Sequence, residues 1–435
     1  MARTNVLTAP KTHEGASASR IDKEAQLRRS VSSCLLWEKE FYEDGEDIAT
    51  RILGLANDVE ANVVAGIATR ARAELHLRHV PLLLAVALMR KGGPLAGQTL
   101  ATVIQRADEL AEFVSLYWKI NGEDAALSAQ AKKGLAAAFG KFDEYQFAKY
   151  DRKGSVQLRD VLRLVHPVPI NDERSSLYKR IASQSLATPD TWEVALSAGQ
   201  DKRETWLRLL EEGRLGYMAL LRNLRGMQEA GVPQDVVDAA ITARRGAKGV
   251  LPFRYVAALR AAPRHLKALD RAFQDAVEEV PSLPSKTGIL VDVSGSMAVK
   301  LSQKSDLTRM DAAAALAALW PGEKRVWTFS QQLVEVPAFS GMALIDAVLR
   351  SQVHGMTNLG AAVREVGNRG GIDRMVVITD EQSHDKVSPP SGIPNLYMVN
   401  VASAANGVGY GRWNHIDGFS ENIIRWIAEV EGCNG

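Results

Sequence analysis

The stretch Thr287-Gly-Ile-Leu-Val-Asp292-Val-Ser294-Gly-Ser296-Met297 joins a short apolar run to a polar cluster. The run, residues 288–291, contains β-branched side chains and is typical of a buried parallel strand. It ends in Asp-x-Ser-x-Ser, so one carboxylate and two hydroxyls can converge where the chain turns out of the strand. Hard cations such as Mg²⁺ prefer oxygen ligands of this kind. The alternative is an ordinary polar loop between a strand and a helix, with a serine as its cap.

Two later segments can bring further oxygen ligands to the same place. Arg374-Met-Val-Val-Ile-Thr379-Asp380 is a second apolar strand that ends in a carboxylate. Gly355-Met-Thr357-Asn-Leu-Gly is a glycine-bearing loop in front of a helical pattern. Because ligands of open α/β sheets bind beyond the carboxyl ends of strands, we expect these loops to gather around the first one.

Together these positions resemble the metal-ion-dependent adhesion site of von Willebrand factor A domains. The resemblance implies that Asp292, Ser294, Ser296 and Thr357 bind a divalent ion, most simply Mg²⁺, directly or through water, and that Asp380 completes the shell. Many such domains have Gly before the Thr and Asp after it. Here these residues are Met356 and Asn358, so the affinity for a ligand is expected to be tuned.

The pattern of the chain changes at Pro281-Ser-Leu-Pro284-Ser. Beyond it, strands at about 287–293, 325–330, 333–336, 374–379 and 396–401 alternate with helices, which predicts a doubly wound α/β domain over 284–435. Before it, from 21 to 283, apolar residues recur at helical spacing in many short segments separated by Gly or Pro. Stacked helix pairs are expected there, although no strict repeat is visible. Residues 1–20 are rich in Ala, Ser and Thr and are predicted to be disordered.

Composition indicates a soluble protein with room for two or three domains. The chain is 46% hydrophobic and 24% charged, and its net charge of +2 says little about partners. Its two cysteines, Cys34 and Cys433, lack the spacing of a metal site, which favours a reducing cytoplasm. The polar start of the chain predicts no secretion signal, and the longest apolar run, Val80 to Met89, is too short for a bilayer. We therefore expect a cytoplasmic protein without a membrane partner.

Basic residues are clustered in two places, each with aromatic residues nearby. The first cluster interleaves Tyr145, Phe147 and Tyr150, and in the second Phe253 and Tyr255 flank Arg254. Charge for phosphates and rings for bases are what single-stranded nucleic acid requires, whereas the alternative is a solvated helix face. Four acidic residues dilute the first cluster, while the second holds a single acid, Asp270. The clusters comprise Lys141, Lys149, Arg152, Lys153, Arg159 and Arg163, and Arg244, Arg245, Lys248, Arg254, Arg260, Arg264, Lys267 and Arg271.

Longer motifs in the helical part resemble the TROVE module. They are Gln26-Leu-Arg-Arg-Ser30 with Cys34-Leu-Leu-Trp-Glu-Lys-Glu-Phe-Tyr42, Arg159-Asp-Val-Leu-Arg-Leu-Val-His166-Pro167, and Gly216-Tyr-Met-Ala-Leu-Leu-Arg-Asn223-Leu224. A TROVE module followed by a von Willebrand A domain resembles the bacterial branch of the Ro ribonucleoprotein family over nearly the whole chain. The resemblance implies an all-α ring of HEAT-like helix pairs, residues 21–283, followed by the metal-site domain.

The same resemblance implies the partners. Family members bind small noncoding Y RNAs on a basic outer surface and the single-stranded ends of misfolded or structured RNAs in a central hole. It places His166 in an RNA-binding motif, and a ring closed within one chain makes a monomer the simpler expectation. The predicted RNA contacts are Lys149, Arg152, Lys153, Arg163, His166, Arg244, Arg245, Lys248, Arg254, Arg264 and Lys267.

Two classes of function remain open at this point. In the first, the chain is an RNA scaffold in noncoding-RNA quality control or decay, with no chemistry of its own. In the second, it is a metal-dependent protein adhesion module whose helical ring is an interaction arm, and a 3′ exoribonuclease is one partner it could recruit. An enzyme is not expected, because Ser294 lies outside a Gly-x-Ser-x-Gly elbow. Gly92-Gly-Pro-Leu-Ala-Gly97 lacks the lysine of a phosphate-binding loop and is predicted to be a helix–helix turn.

Overall fold

A computed structural model describes residues 22–32, 45–151, 154–248, 250, 253–281, 283–301, 307–402, 407–418 and 422–432. The predicted disorder of residues 1–20 lies outside the described residues. The chain divides into two compact units. We call Ala49–Leu209 the helical unit, and the described residues up to Ile48 and from Leu210 onward the sheet unit.

The helical unit consists of short helices that pack on near neighbours in the sequence, as expected for stacked helix pairs. Helix α3 packs on α4 and α5, α5 on α7, and α9 on α6, α7 and α10. None of the described helices is long and apolar enough to cross a membrane. The first twelve helices of the described chain follow in order, and α1 among them belongs to the sheet unit. They are α1 Lys23–Ser32, α2 Gly45–Asp58, α3 Ala61–Ala73, α4 His79–Lys91, α5 Pro94–Val103, α6 Asp108–Asn121, α7 Ala129–Phe139, α8 Glu144–Tyr150, α9 Leu158–Val165, α10 Asp172–Ala182, α11 Trp192–Ser197 and α12 Lys202–Glu211.

Turn chemistry separates these helices. Gly92 and Gly93 adopt φ of 80° and 84° between α4 and α5, and Pro94 opens α5. The predicted helix–helix turn is therefore confirmed at Gly92 and Gly93, whereas residues 94–97 belong to α5. Helices α5 and α6 are separate, because the buried carboxylate of Glu109 accepts hydrogen bonds from the backbone N–H groups of Gln105 and Arg106 and caps the break between them.

The sheet unit contains eight further helices in its described residues. The first four precede an α/β fold, and the last four belong to it. Six strands lie in the order β3-β2-β1-β4-β5-β6, and only β3 is antiparallel to its neighbour. Helix α1 contacts β6. The helices are α13 Tyr217–Glu229, α14 Gln234–Ala243, α15 Phe253–Ala261, α16 Leu266–Glu278, α17 Arg309–Leu319, α18 Gly341–Leu349, α19 Leu359–Arg369 and α20 Asn422–Val430. The strands are β1 Thr287–Asp292, β2 Lys324–Phe329, β3 Leu333–Val336, β4 Arg374–Thr379, β5 Asn395–Asn400 and β6 Asn414–Asp417.

The predicted strands are all present, and the doubly wound α/β fold is confirmed. Every residue of β1 and β4 is buried, as expected for central parallel strands. The sixth strand, β6, was missed because Ile416 is its only apolar residue, and it pairs at the edge of the sheet. The change from helices to strands falls where the two prolines predict it. The compact units divide elsewhere, since α13 to α16 belong with the sheet. The domain boundaries predicted from the sequence therefore stay a prediction.

Two carboxylates hold α15 and α16 onto the α/β part. Asp311 caps α17 together with Thr308, and Arg260 of α15 donates two hydrogen bonds to it, one of 2.9 Å. Asp270 of α16 accepts a 2.8 Å hydrogen bond from the backbone N–H of Met342 in the first turn of α18. Each acid satisfies a backbone donor at a helix N-terminus and ties two helices together.

A network of ion pairs joins α3, α4 and α6 in the helical unit. The Arg72 guanidinium donates to the buried carboxylate of Glu109 at 2.7 Å, and Arg78 donates to both Asp108 and Glu112. Burial raises the pKa of Glu112 to about 7, although Arg78 opposes that shift. The network therefore contains a carboxyl group that titrates near neutral pH.

This shift predicts a pH-dependent stability. A pKa raised from 4.5 to about 7 contributes stability below pH 4.5 that is lost as the pH rises through 7. Glu112→Gln cannot ionise, so we expect its Tm to match that of the wild type near pH 5 and to exceed it at pH 8. Thermal melts at several pH values check this. Melting curves of the two proteins that stay parallel from pH 5 to 8 would contradict it.

Candidate metal centre and nucleic-acid surface

Asp292 lies at the carboxyl end of β1, beside the end of β4. The order of the strands reverses between β1 and β4, which is where open α/β sheets place their ligands. The Asp292 carboxylate is fully buried. Its Oδ1 accepts a hydrogen bond from the backbone N–H of Ser294 at 2.8 Å, and its Oδ2 accepts one from the Thr379 hydroxyl at 2.6 Å. Its orientation is therefore fixed from two sides.

The two serines continue the same turn. Ser294 and Ser296 flank the start of a short 3-10 turn, Gly295–Ala298, and their hydroxyl oxygens lie 3.3 Å apart. The N–H of Gly295 donates to the carbonyl of Gly355 at 2.9 Å. This bond joins the serine loop to the loop that carries Thr357.

The Thr357 loop is fixed by two residues that sequence reasoning missed. The hydroxyl of Ser330 accepts from the N–H of Gly355 at 2.7 Å, and its carbonyl accepts from the N–H of Asn358 at 3.0 Å. His384 Nδ1 accepts from the N–H of Thr357 at 3.1 Å, and the N–H of His384 donates to the carbonyl of Thr357 at 3.0 Å. Neither residue lies in a motif, although His384 follows shortly after the β4 carboxylate. Thr357 is consequently held in a nearly buried position.

Asp380 leaves one oxygen of the site unsatisfied. Its Oδ1 accepts a 3.0 Å hydrogen bond from the N–H of Gln382, but its Oδ2 is buried without a hydrogen-bond partner in the described part of the chain. Burial, together with the charge of Asp380, raises the pKa of Asp292 to about 7. Protonation or a cation relieves the repulsion between two buried carboxylates, and the oxygen atoms present fit a hard divalent ion.

The remaining ligands would have to be hydroxyls. Among the described residues, no three His, Cys, Asp or Glu side chains form a metal-binding group. Ser294 and Ser296 next to Asp292, and Thr357 in the loop that is hydrogen-bonded to theirs, offer oxygen donors instead. That donor set suits Mg²⁺ better than a softer transition metal.

The residue after Asp380 anchors the turn. Glu381 has a positive φ of 59°, and its carboxylate contacts His415 Nε2 at 2.6 Å and accepts from the N–H of Gly409 at 2.7 Å. His415 stacks on Tyr410 with ring centroids 4.5 Å apart. The strained backbone is held by these contacts, and no sequence motif indicated them.

The first basic cluster belongs to the helical unit. His166 ends α9 in the left-handed conformation, with φ of 50°, and its side chain is exposed. Arg163 is exposed one turn earlier, and Lys149 is half-buried on α8. Arg152 and Lys153 lie outside the described residues. Phe147, one of the interleaved aromatic residues, is buried and therefore cannot stack on a base.

The second basic cluster belongs to the sheet unit, and the structure divides it. Arg244 donates to both carboxylate oxygens of Glu279, at 2.7 and 3.1 Å, and its side chain is 10% exposed. Arg271 pairs with Asp275, as Arg260 does with Asp311. The exposed members without an ion pair among the described residues are Arg245, Lys248, Arg264 and Lys267.

Arg254 differs from both groups. Burial and the nearby positive charge of Arg222 lower the pKa of its guanidinium. Phe253 and Tyr255 on either side are buried, so they do not supply the stacking surface expected from the sequence. Arg222 on α13 lies close enough to Arg254 for the two charges to repel.

Known proteins match both parts of this description. Residues 179–245 match the family model of the TROVE domain. The crystal structure of the Deinococcus radiodurans Ro (RSR) protein matches with a TM-score of 0.60 and 18% identity, over 94% of this chain and 100% of that chain. The likeness to this structure shows a shared fold, in which helices are followed by an α/β domain. The TROVE segment spans the end of the helical unit and the first helices of the sheet unit.

The candidate metal centre predicts a response to divalent ions. We expect Mg²⁺ to raise the Tm of the wild-type protein over that in EDTA, because the ion offsets the repulsion between Asp292 and Asp380. Asp292→Asn removes one of these charges and most of the response. Asp346→Asn, in an exposed pair with Arg350, is the control that keeps it. Equal Tm values of the wild type with Mg²⁺ and with EDTA would argue against the site.

Proposed function

We propose that this protein is an RNA-binding scaffold that binds small Y-type RNA and the ends of misfolded or structured RNAs in noncoding-RNA quality control. The observation that carries the proposal is the exposed basic surface around Arg163 and His166, in a chain with a TROVE segment. Phosphate groups need cations that are not neutralised by carboxylates. Neither Arg163 nor His166 has an acidic partner among the described residues.

The acids near this surface have other partners. Asp143 accepts from the N–H of Gln146 and caps α8, and Asp160 accepts from the N–H of Gln157 and caps α9. Glu144 accepts two hydrogen bonds from Arg180, at 2.9 and 2.8 Å. Asp160 also lies 3.7 Å from Arg159, so one cation of the cluster is paired, whereas Lys149 and Arg163 have no acidic partner among the described residues.

We propose a scaffold without catalysis, acting in the cytoplasm as a monomer. A nucleophilic serine needs a base within hydrogen-bond reach. In the described part of the chain, the hydroxyl of Ser294 contacts that of Ser296, and His415 contacts Glu381. The site at the end of β1 and β4 is better suited to holding an ion than to acyl transfer.

The RNA proposal is tested by the salt dependence of binding. The probe is a small structured RNA with a single-stranded 3′ tail, followed by fluorescence anisotropy. Each phosphate contact contributes about 0.9 to the slope of log K against log salt, so a pair of contacts contributes about 2. We expect Lys149→Met with Arg163→Met to lower the slope by about that amount, and His166→Ala to weaken binding.

A second pair measures the other cluster. Arg264→Met with Lys267→Met changes two exposed cations of the sheet unit, and Arg350→Met, in an exposed ion pair with Asp346, is the control. The pair that lowers the slope identifies the surface that contacts phosphate. Unchanged slopes for both pairs, or no binding of the wild type at low salt, would remove the basis of the RNA proposal.

The second candidate function is metal-dependent capture of a protein partner. It is favoured by the loop before Thr357, where Val353 is 84% and Met356 is 49% exposed although Ser330 fixes the loop. An ion at this site would bind the residues named above and accept a carboxylate oxygen from the partner as a further ligand. A 3′ exoribonuclease is the partner we propose.

The two functions are separated by one variant. Asp292→Asn is expected to abolish Mg²⁺-dependent binding of a purified 3′ exoribonuclease in a pull-down and to leave RNA affinity within about twofold. Retained exoribonuclease binding in EDTA would contradict metal-dependent capture. Loss of RNA affinity in the folded variant would show instead that the metal centre supports the RNA surface.

A further inference from the structure

Tyr145 is an exposed aromatic side chain beside the first basic cluster. It is 42% exposed, and the only other large aromatic side chain with such exposure in the described residues is Phe339, at 50%. An aromatic ring left in water at a basic surface is unusual for packing reasons alone, since a buried position would stabilise the fold more.

Helix α8 fixes the orientation of this ring. A capping box between Asp143 and Gln146 sets the first turn of the helix. Phe147 lies in the core, where its ring stacks on Phe139 at 5.6 Å and meets Phe142 edge-on at 5.8 Å. Residues two apart on a helix face different directions, so burial of Phe147 leaves Tyr145 at the surface.

A lysine lies against the same ring. Lys149 Nζ is 5.9 Å from the centroid of Tyr145 and 5.6 Å from that of Tyr150. Tyr150 also carries the guanidinium of Arg106 at 4.6 Å, which is itself hydrogen-bonded to Asp108 at 3.1 and 2.8 Å. The charge of Arg106 is therefore balanced by an acid, whereas Lys149 contacts no carboxylate among the described residues.

We propose that Tyr145 is a stacking platform for an unpaired nucleobase of bound RNA, and that Lys149 contacts a phosphate next to that base. The inference rests on the proposed RNA-binding function and specifies its ligand as single-stranded RNA. Stacking on an aromatic ring is open to every base, since each has a π-face, and favours purines because they stack more strongly. The adjacent ammonium group supplies the charge that the backbone of the same nucleotide requires.

The experiment compares two probes of about 12 nucleotides, a length within the usual footprint of single-strand binders. One is fluorescein-labelled oligoadenylate, and the other is the same backbone with abasic sites. We expect Tyr145→Ala to weaken oligoadenylate binding by ~5- to ~150-fold. It should leave both the affinity for the abasic probe and the salt slope unchanged, because no charge is lost.

Three further variants make the result specific. Tyr145→Phe keeps the ring and should bind as the wild type does. Lys149→Met should lower the salt slope by about 1 for both probes. Phe339→Ala removes the other exposed ring, in the sheet unit, and should change nothing.

The outcomes distinguish failure of the stacking platform from failure of the proposed RNA-binding function. Wild-type protein that binds neither probe nor the tailed RNA at low salt would overturn the RNA-binding proposal itself. Wild-type protein that binds while Tyr145→Ala binds oligoadenylate equally well would overturn only the stacking platform. An equal loss for the oligoadenylate and abasic probes would also overturn it, since stacking cannot act on a missing base.

Discussion

The structure depends most on the parallel pairing of β1 and β4, which places Asp292 and Asp380 side by side in the interior. Burying a carboxylate is costly unless its oxygens are hydrogen-bonded or paired with a cation. Thr379 and the Ser294 backbone satisfy Asp292, yet one oxygen of Asp380 stays without a partner in the described part of the chain. The surrounding loops are then arranged to supply more oxygen donors, and the bond between Gly295 and Gly355 closes two of them over the site. A core position that would ordinarily be apolar thereby holds two carboxylates and the oxygen donors around them.

The same use of carboxylates explains how helices far from the site in sequence belong to its unit. Asp311 and Asp270 each satisfy the start of a helix of the α/β part, and each contacts a residue across the packing interface with α15 or α16. On helix α15, Arg260 is fixed by its ion pair with Asp311. The positive charge of Arg254 on the same helix is repelled by that of Arg222. The compact unit therefore includes α15 and α16, and its boundary does not coincide with the two prolines that separate the helices from the strands.

Much of the fold was predictable from the sequence, because apolar β-branched runs and helical periodicity report burial directly. The five strands with such runs were found, whereas β6, with Ile416 as its one apolar residue, was not. The candidate ligands were predictable as well, since Asp292 and Asp380 directly follow or end buried strands. Their supports were not: Ser330, His384 and the Glu381–His415 contact join segments tens of residues apart, and no local pattern encodes such pairing. The predicted ion ligation itself remains a prediction.

Basic surfaces are the part that sequence reasoning resolves least, because a charge count does not show which charges are already paired. By composition, the cluster around Arg254 is the stronger one, with a single acid among eight basic residues. In the folded chain, however, an acid from outside the cluster pairs with it: Glu279 forms an ion pair with Arg244.

The cluster before His166 is the weaker one by composition, since four acids dilute it. Three of those acids cap helices or pair with Arg180, and Asp160 also pairs with Arg159, but Lys149 and Arg163 have no acidic partner among the described residues. The aromatic residues follow the same logic: Phe253 and Tyr255 are buried, while Tyr145 stays exposed because Phe147 occupies the core. Only cations without an acidic partner and aromatic rings that stay exposed after folding can bind a phosphate or a base. Among the described residues, these groups favour the surface of α8 and α9.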